Sequence, residues 1–250
     1  MNKTIIIIQA RMGSSRLPAK AMKQVLGRPI IKFLFDRAQQ ITCADQVILA
    51  TSINPENDEL CAFINSIGFE CYRGSEDDVL ERFYEAAKQF QADHIIRLTG
   101  DCPLIEPSIC DELVTFYKEN SADYAYLSPQ FAEGLDCEVF SFIALEKAFV
   151  NASKKSEREH VTLYFSNYRN DFKIKELDND TDDSSYRITV DCEEDFQVVE
   201  KVIEDLISSN QIFGINEIKR YLDEHPEVKE INSHIVRNQG LLQSLSEEVL

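Results

Sequence analysis

The stretch that decides the fold is Thr4-Ile5-Ile6-Ile7-Ile8-Gln9 and the segment directly after it, Ala10-Arg11-Met12-Gly13-Ser14-Ser15-Arg16-Leu17-Pro18-Ala19-Lys20. A short, unbroken, β-branched run suits a strand covered on both faces, as in a parallel sheet. The segment that follows carries two arginines and a lysine. Ligands of open α/β sheets bind just outside the carboxyl ends of the strands, so a cationic loop there predicts a polyanionic ligand such as a nucleoside triphosphate. The loop is neither GxxxxGK[ST] nor GxGxxG. Gly13, Ser14 and Ser15 can nevertheless offer backbone N–H and hydroxyl donors beside the charges of Arg11, Arg16 and Lys20.

Working outward, strands are expected at 46–50, 68–72 and 94–98, alternating with helices at 29–40, 55–67 and 76–90. Pro29 and Pro55 suit a first helical position, and Ser75 with Asp78 resembles a capping box. Beyond about residue 120 the expected strands are 123–127, 136–142, 172–177 and 186–190. Helices are expected at 143–151, 157–168, 193–208 and 216–224. The expectation is one α/β domain over 1–250, with a mixed, mostly parallel sheet, helices on both faces, a small insertion at about 120–180 and a helical C-terminal tail from about 210.

Charge supports a small anionic ligand. Residues 1–35 hold seven basic residues and no acid, whereas the 250-residue chain has a net charge of −18. So acidic a chain argues against nucleic acid or an anionic membrane as partner. Ile5–Ile8 is far too short to span a bilayer, and no secretory leader is recognisable. The seven cysteines are scattered and form no CxxC pair, so neither a disulfide framework nor a zinc site is expected. These features suit a cytoplasmic protein.

The segment Ala10-Arg11-x-x-Ser14-x-Arg16-Leu17-Pro18-x-Lys20 resembles the nucleotide-binding loop of the sugar-acid cytidylyltransferases. The likeness continues through Ala50-Thr51-Ser52, Arg73-Gly74-Ser75-Glu76-Asp77-Asp78-Val79-Leu80 and Thr99-Gly100-Asp101-Cys102-Pro103-Leu104. It runs on through Gly134-Leu135-Asp136-Cys137-Glu138-Val139-Phe140, Arg158-Glu159-His160-Val161-Thr162 and Thr189-Val190-Asp191. These motifs cover about residues 5–205. The pattern is most similar to the spore-coat polysaccharide biosynthesis protein F family, related to the 3-deoxy-manno-octulosonate and acylneuraminate cytidylyltransferases. Two positions depart from it: Ala19 stands where Gly is common, and Glu133 where a shorter acid is usual.

The resemblance implies a Rossmann-like nucleotide-diphospho-sugar transferase fold and a reaction joining CMP from CTP to a sugar acid. Arg11, Arg16 and Lys20 would hold the triphosphate, with Ala10, Gly13, Ser14, Ser15, Thr51, Gly74 and Ser75 as further nucleotide contacts. Asp101 and Asp191 would hold Mg²⁺, whose preference for hard carboxylate and phosphate oxygens they suit. Arg11, Lys20, Asp101 and Asp191 would thus form the catalytic set. On residues alone, Asp101 could equally be a turn residue and Asp191 a helix N-cap.

Asp136 and Glu138, two apart on an expected strand, would face one way about 7 Å apart. With Arg158 and His160 they are the candidate sugar-binding residues. Ser156 and Glu159 form S-x-x-E, which reads as a capping box and makes Glu159 structural. A homodimer is compatible with the sequence. A glycosyltransferase, or a relative that binds nucleotide without catalysis, stays open; the lack of a D-x-D motif at Asp101-Cys102-Pro103 speaks against the former.

Overall fold

The four isoleucines at the head of the chain lie at the centre of the sheet, and the other elements assemble around them. In the computed structural model, which describes residues 2–208 and 213–248, the strands are β1 (Thr4–Gln9), β2 (Gln24–Val25), β3 (Arg28–Pro29), β4 (Gln46–Ser52), β5 (Glu70–Gly74), β6 (His94–Thr99), β7 (Tyr124–Leu127), β8 (Glu138–Ser141) and β9 (Ile174–Leu177). Seven of them form one sheet in the order β5-β4-β1-β6-β8-β7-β9, while β2 and β3 make a separate hairpin. β5, β4, β1 and β6 are parallel; β8 is antiparallel to both β6 and β7; β9 runs parallel to β7.

The helices are α1 (Ile30–Ala38), α2 (Asp58–Ser66), α3 (Val79–Gln89), α4 (Pro107–Glu119), α5 (Phe142–Asn151), α6 (Lys155–Glu159), α7 (Leu163–Asn167), α8 (Glu193–Ser208), α9 (Ile215–Glu224), α10 (Pro226–Lys229) and α11 (Gln239–Glu248). Alternation along β1 divides the core. Ile6 and Ile8 pack with Leu34, Leu60 and Leu113 of α1, α2 and α4. Ile5 and Ile7 pack with Phe83 and Leu145 of α3 and α5 on the opposite face. A third apolar cluster joins Leu17 and Ile30 to Ile188, Val190, α8 and α9. Among the described residues no helix is long and apolar enough to cross a membrane.

The chain builds β1, β4 and β5 outward and then returns to place β6 on the other side of β1. The strand order therefore reverses between β1 and β6, and a crevice opens beyond their carboxyl ends. The cationic loop after β1 and the Gly100-Asp101 turn after β6 both sit there.

Several elements differ from expectation. Helix α4 lies where no element was expected. Its buried Cys110, Leu113, Val114 and Tyr117 recur at helical spacing behind Pro107, so its pattern is ordinary. Residues 186–190 are extended but pair only through an isolated bridge between Arg187 and Glu133, with Ile188 N–H donating to the Glu133 carbonyl at 2.7 Å. The expected helix at 157–168 is two short ones, α6 and α7. The N-cap of α3 is Asp78, whose carboxylate accepts from Glu81 N–H at 2.8 Å, while Ser75 Oγ accepts from Asp78 N–H at 3.0 Å.

The cysteines need a correction too: Cys61 on α2 and Cys71 on β5 form a disulfide, although ten residues separate them and no short motif marks them. Packing of α2 on β5 brings them together. Cys43, Cys102, Cys110, Cys137 and Cys192 are free. Thiol titration of the unfolded, unreduced protein should count those five free cysteines, and all seven after reduction. Seven before reduction would contradict the α2–β5 bond.

Candidate functional site

The loop after β1 is shaped by its own backbone. The Met12 carbonyl accepts from Ser14 N–H and Ala19 N–H, both at 2.9 Å, and Met12 N–H donates to Asn57 Oδ1 at 2.9 Å. Asn57 is buried and donates to Ser52 Oγ at 3.0 Å, which fixes the loop to the end of β4. Ala19 closes the curl in the left-handed region at φ 55°. A residue with a Cβ pays about 1–2 kcal/mol there, the physical reason a glycine suits this position. Across the crevice, Gly100 N–H donates to the Gln9 carbonyl at 2.7 Å. A Cβ on Gly100 would come within 2.6 Å of the Ala10 Cβ, so only glycine lets the two turns meet this closely.

These turns carry Lys20 and Asp101 into the crevice, and the extended 186–190 segment brings Asp191 to meet them. Val190 N–H donates to the Asp101 carbonyl at 2.7 Å, and Thr189 Oγ1 to the same oxygen at 3.1 Å. Gly134, at φ 108°, lets the neighbouring loop pack on this segment: its Cβ would lie 2.5 Å from Thr189 N. The result is a cluster around one ammonium. Lys20 Nζ is 2.8 Å from Asp191 Oδ1 and 3.4 Å from Asp101 Oδ2, and Arg16 lies 2.9 Å from Asp191 Oδ1.

Burial alone would lower the Lys20 pKa, but Asp101 and Asp191 outweigh it and hold the ammonium above its ordinary range. Burial likewise works against the Asp101 carboxylate, yet the Lys20 charge and the Thr99 hydroxyl keep it below the usual carboxylate range. Cys102 is pushed well up, chiefly by burial, and offers no thiolate nucleophile. Two hard carboxylates brought together at the basic end of a crevice are a donor set that suits a divalent ion, with phosphate and water oxygens completing the shell. The residues therefore fit Mg²⁺. Asp191 is not the cap of α8: the Asp195 carboxylate, from inside the helix, accepts from Asp191 N–H at 3.0 Å and Cys192 N–H at 3.3 Å.

The cleft encloses about 760 Å³. Ala10, Arg11, Ser14, Ser15, Arg16 and Lys20 line its basic end, whereas Gly13, Thr51, Gly74 and Ser75 do not line it. Arg11 is paired with Glu76 at 2.5 Å. Asp136, Glu138 and His160 line the other end. Asp136 precedes β8 instead of lying on it, and the two acids do not confront each other. Glu138 is held by Arg97 and the Tyr124 hydroxyl, and Asp136 by Arg237 at 3.2 Å and Gly134 N–H at 2.9 Å.

Arg158 is not in the cleft. It points back to Asp78, donating through Nε at 2.8 Å, and to the Phe149 carbonyl at 2.7 Å. Glu159 takes no part in a capping box: α6 begins at Lys155, Ser156 is buried inside it, and Glu159 faces the cleft, where Ser244 Oγ donates to it at 3.4 Å.

The sequence reading missed Arg82, Arg97, Tyr124, Glu133 as a wall residue, and the C-terminal residues 237–241 and Ser244, all of which line the cleft. Arg82 is almost fully buried, and burial brings its pKa down to about 10. It donates to the Ser75 carbonyl at 2.5 Å and so ties the Arg73–Leu80 motif to the wall. The C-terminal run carried no signal, because only folding returns α11 to the loop after β1, where Arg16 donates to Gln239 Oε1 at 3.3 Å.

A basic loop and paired carboxylates at the switch point of such a sheet define a nucleotide-handling site, and residues 5–241 match the sequence model of the cytidylyltransferase family. The chain belongs to that family and is a nucleotidyltransferase. It is 32% identical to the spore coat polysaccharide biosynthesis protein SpsF of Bacillus subtilis over 80% of this chain and 85% of that protein. The structure of a cytidylyltransferase from Leptospira borgpetersenii superposes with a TM-score of 0.86 at 31% identity, covering 95% of this chain and all of the other. A CMP:2-keto-3-deoxy-manno-octonic acid synthetase solved with CTP shares the fold at a TM-score of 0.65 and 19% identity, over 82% of this chain and all of the other.

Because Arg158 braces α6 against α3 outside the cleft, Arg158→Ala should destabilise the protein by about 1–3 kcal/mol, the scale of a lost charge-assisted hydrogen bond. Denaturant unfolding would measure that loss, and steady-state kinetics should find the Michaelis constants for nucleotide and acceptor unchanged. A raised Michaelis constant at unchanged stability would return Arg158 to the site.

Proposed function

We propose that this cytidylyltransferase joins CMP from CTP to a hydroxyl of a sugar acid, releasing pyrophosphate, with Mg²⁺ as cofactor and surface polysaccharide as the destination. The observation that carries the reading is the Lys20 ammonium between Asp101 and Asp191, at the switch point of the sheet and beside the arginines of the loop. The likeness to SpsF supports polysaccharide synthesis, and the synthetase solved with CTP supports the donor. A triphosphate donor and the absence of a membrane-crossing helix among the described residues suit the cytoplasm.

Arg11, Arg16 and the donors of Ser14 and Ser15 face the triphosphate, while Asp101 and Asp191 would hold the metal. Thr51, Gly13, Gly74 and Ser75 act indirectly, by shaping the loops that meet the nucleotide. When bound, Mg²⁺ supplies neutralisation of the charge on the phosphate oxygens and the leaving pyrophosphate. Lys20 exchanges its carboxylate partners for a phosphate oxygen as nucleotide enters. Asp136, Glu138 and His160 orient the hydroxyl-rich acceptor. The acceptor oxygen forms its bond to the α-phosphorus as the bridging P–O bond breaks, and pyrophosphate departs with that electron pair while the hydroxyl proton passes to solvent. No covalent enzyme intermediate is required; positioning and fixed charge do the work.

Pyrophosphate release, measured with CTP, UTP, ATP and GTP against a panel of sugar acids, tests the reading. Turnover should require CTP, a sugar acid and Mg²⁺, and should stop with EDTA. Asp101→Asn should cost about 10²–10³-fold or more in turnover, the scale of losing one fixed charge-stabilising group, with the melting temperature kept. Chelator-insensitive turnover, or a fully active Asn variant, would overturn the metal assignment. Sugar transfer from a nucleotide-sugar, without pyrophosphate, would indicate a glycosyltransferase instead.

A further inference from the structure

Asp191 is gripped from behind by a buried network that the nucleotide reading does not use. Arg187 is almost fully buried, and its Nε and one terminal nitrogen donate to the two oxygens of Asp195, each at 2.8 Å. The terminal nitrogen that serves Asp195 lies 3.7 Å from Asp191 Oδ2, and the other makes an ion pair with Glu133 at 2.5 Å. Asp195 is itself fully buried and accepts from Asp191 N–H. Asn232, 2% exposed, locks the pair by donating to Asp195 Oδ1 at 2.8 Å and to the Arg187 carbonyl at 3.2 Å.

Asp191 is thereby held at two points by one unit, its N–H through Asp195 and its outer oxygen through Arg187. Its other oxygen, Oδ1, faces Lys20 and Arg16. A carboxylate with one oxygen facing a fixed cation behind it presents the other in a single orientation. A side chain free to rotate would have to lose that freedom each time it took a ligand. The same guanidinium holds Glu133 on the acceptor side, so a single planar group sets the spacing between the two halves of the cleft.

We infer that Arg187 is a positioning residue for nucleotidyl transfer: pinned by Asp195 and Asn232, it orients Asp191 toward the cation site marked by Lys20. The inference rests on the reading of Asp191 as a metal ligand. Partners that orient a metal-bound side chain typically change metal affinity about 10–100-fold when removed. A merely structural Arg187 would change stability and leave metal and nucleotide affinities in their original ratio.

The test uses the full chain and Mn²⁺ as probe. Mn²⁺ is titrated into the protein–CTP complex without acceptor, beside CTP alone as reference, and the ion is followed by electron paramagnetic resonance. CTP affinity is measured separately by calorimetry in EDTA. Asp191→Asn should reduce Mn²⁺ affinity to that of CTP alone; if its complex binds Mn²⁺ like the parent's, the metal reading itself falls. With that control in place, Arg187→Met should raise the Mn²⁺ dissociation constant at least about tenfold and leave metal-free CTP affinity unchanged, and Arg187→Lys should recover part of the loss. Asn232→Ala, which removes the lock without removing a charge, should weaken Mn²⁺ in the same direction and to a smaller extent, and it decides the matter if Arg187→Met does not fold. Parental Mn²⁺ affinity in the folded variants, or equal losses of Mn²⁺ and CTP, would overturn the inference.

Discussion

The Lys20 ammonium stands between two carboxylates that are ninety positions apart in sequence, Asp101 and Asp191, and the crevice is organised around that contact. Two carboxylates brought together at a sheet edge repel one another unless a cation lies between them. Lys20 can reach them because β1 is central and the loop after it curls back through Ala19. Asp101 is there because Gly100 allows the β6 turn to touch Ala10, and Asp191 because the 186–190 segment hydrogen-bonds to the Asp101 carbonyl. Each of these features would have little purpose without the others.

The same logic extends along the cleft. Acids in and beside it are matched with cations: Glu76 with Arg11, Glu133 with Arg187, Glu138 with Arg97 and Asp136 with Arg237. Pairs at the two mouths, Arg11–Glu76 and Arg237–Asp136, are partly exposed, and such pairs hold each other weakly. They can exchange partners for an incoming anion or hydroxyl at little cost. Arg187–Asp195 is buried and stays as framework, and Arg97–Glu138 is largely covered and holds its geometry. Apo ion pairing thus keeps a chain of net charge −18 from repelling its own donor, while leaving the mouth residues available.

Much of this was legible in the residues. The Ile5–Ile8 run, the alternating strands and helices to residue 98 and the basic loop led to a parallel sheet and a basic crevice at its edge. Neighbouring residues carry those features, so local pattern sufficed. What escaped depends on tertiary return. Glu133 and Arg237 meet their partners across long separations, the Cys61–Cys71 bond exists because α2 packs on β5, and Arg158 chose Asp78 on α3 over the cleft. Ser156-x-x-Glu159 matched a capping box in letters, but the helix starts two residues earlier than that motif requires, with Lys154 as its N-cap. Helix α4 is a different case: its spacing was visible and was passed over.

The central claim is that Lys20 keeps the place of a metal ion and yields it when nucleotide binds. Anomalous diffraction from crystals grown with CTP and Mn²⁺, without acceptor, reads this directly. A manganese peak between Asp101 and Asp191, with Lys20 Nζ moved onto a phosphate oxygen, is the expected result. A manganese ion bound elsewhere, with Lys20 still bridging the two carboxylates beside bound CTP, would contradict the account.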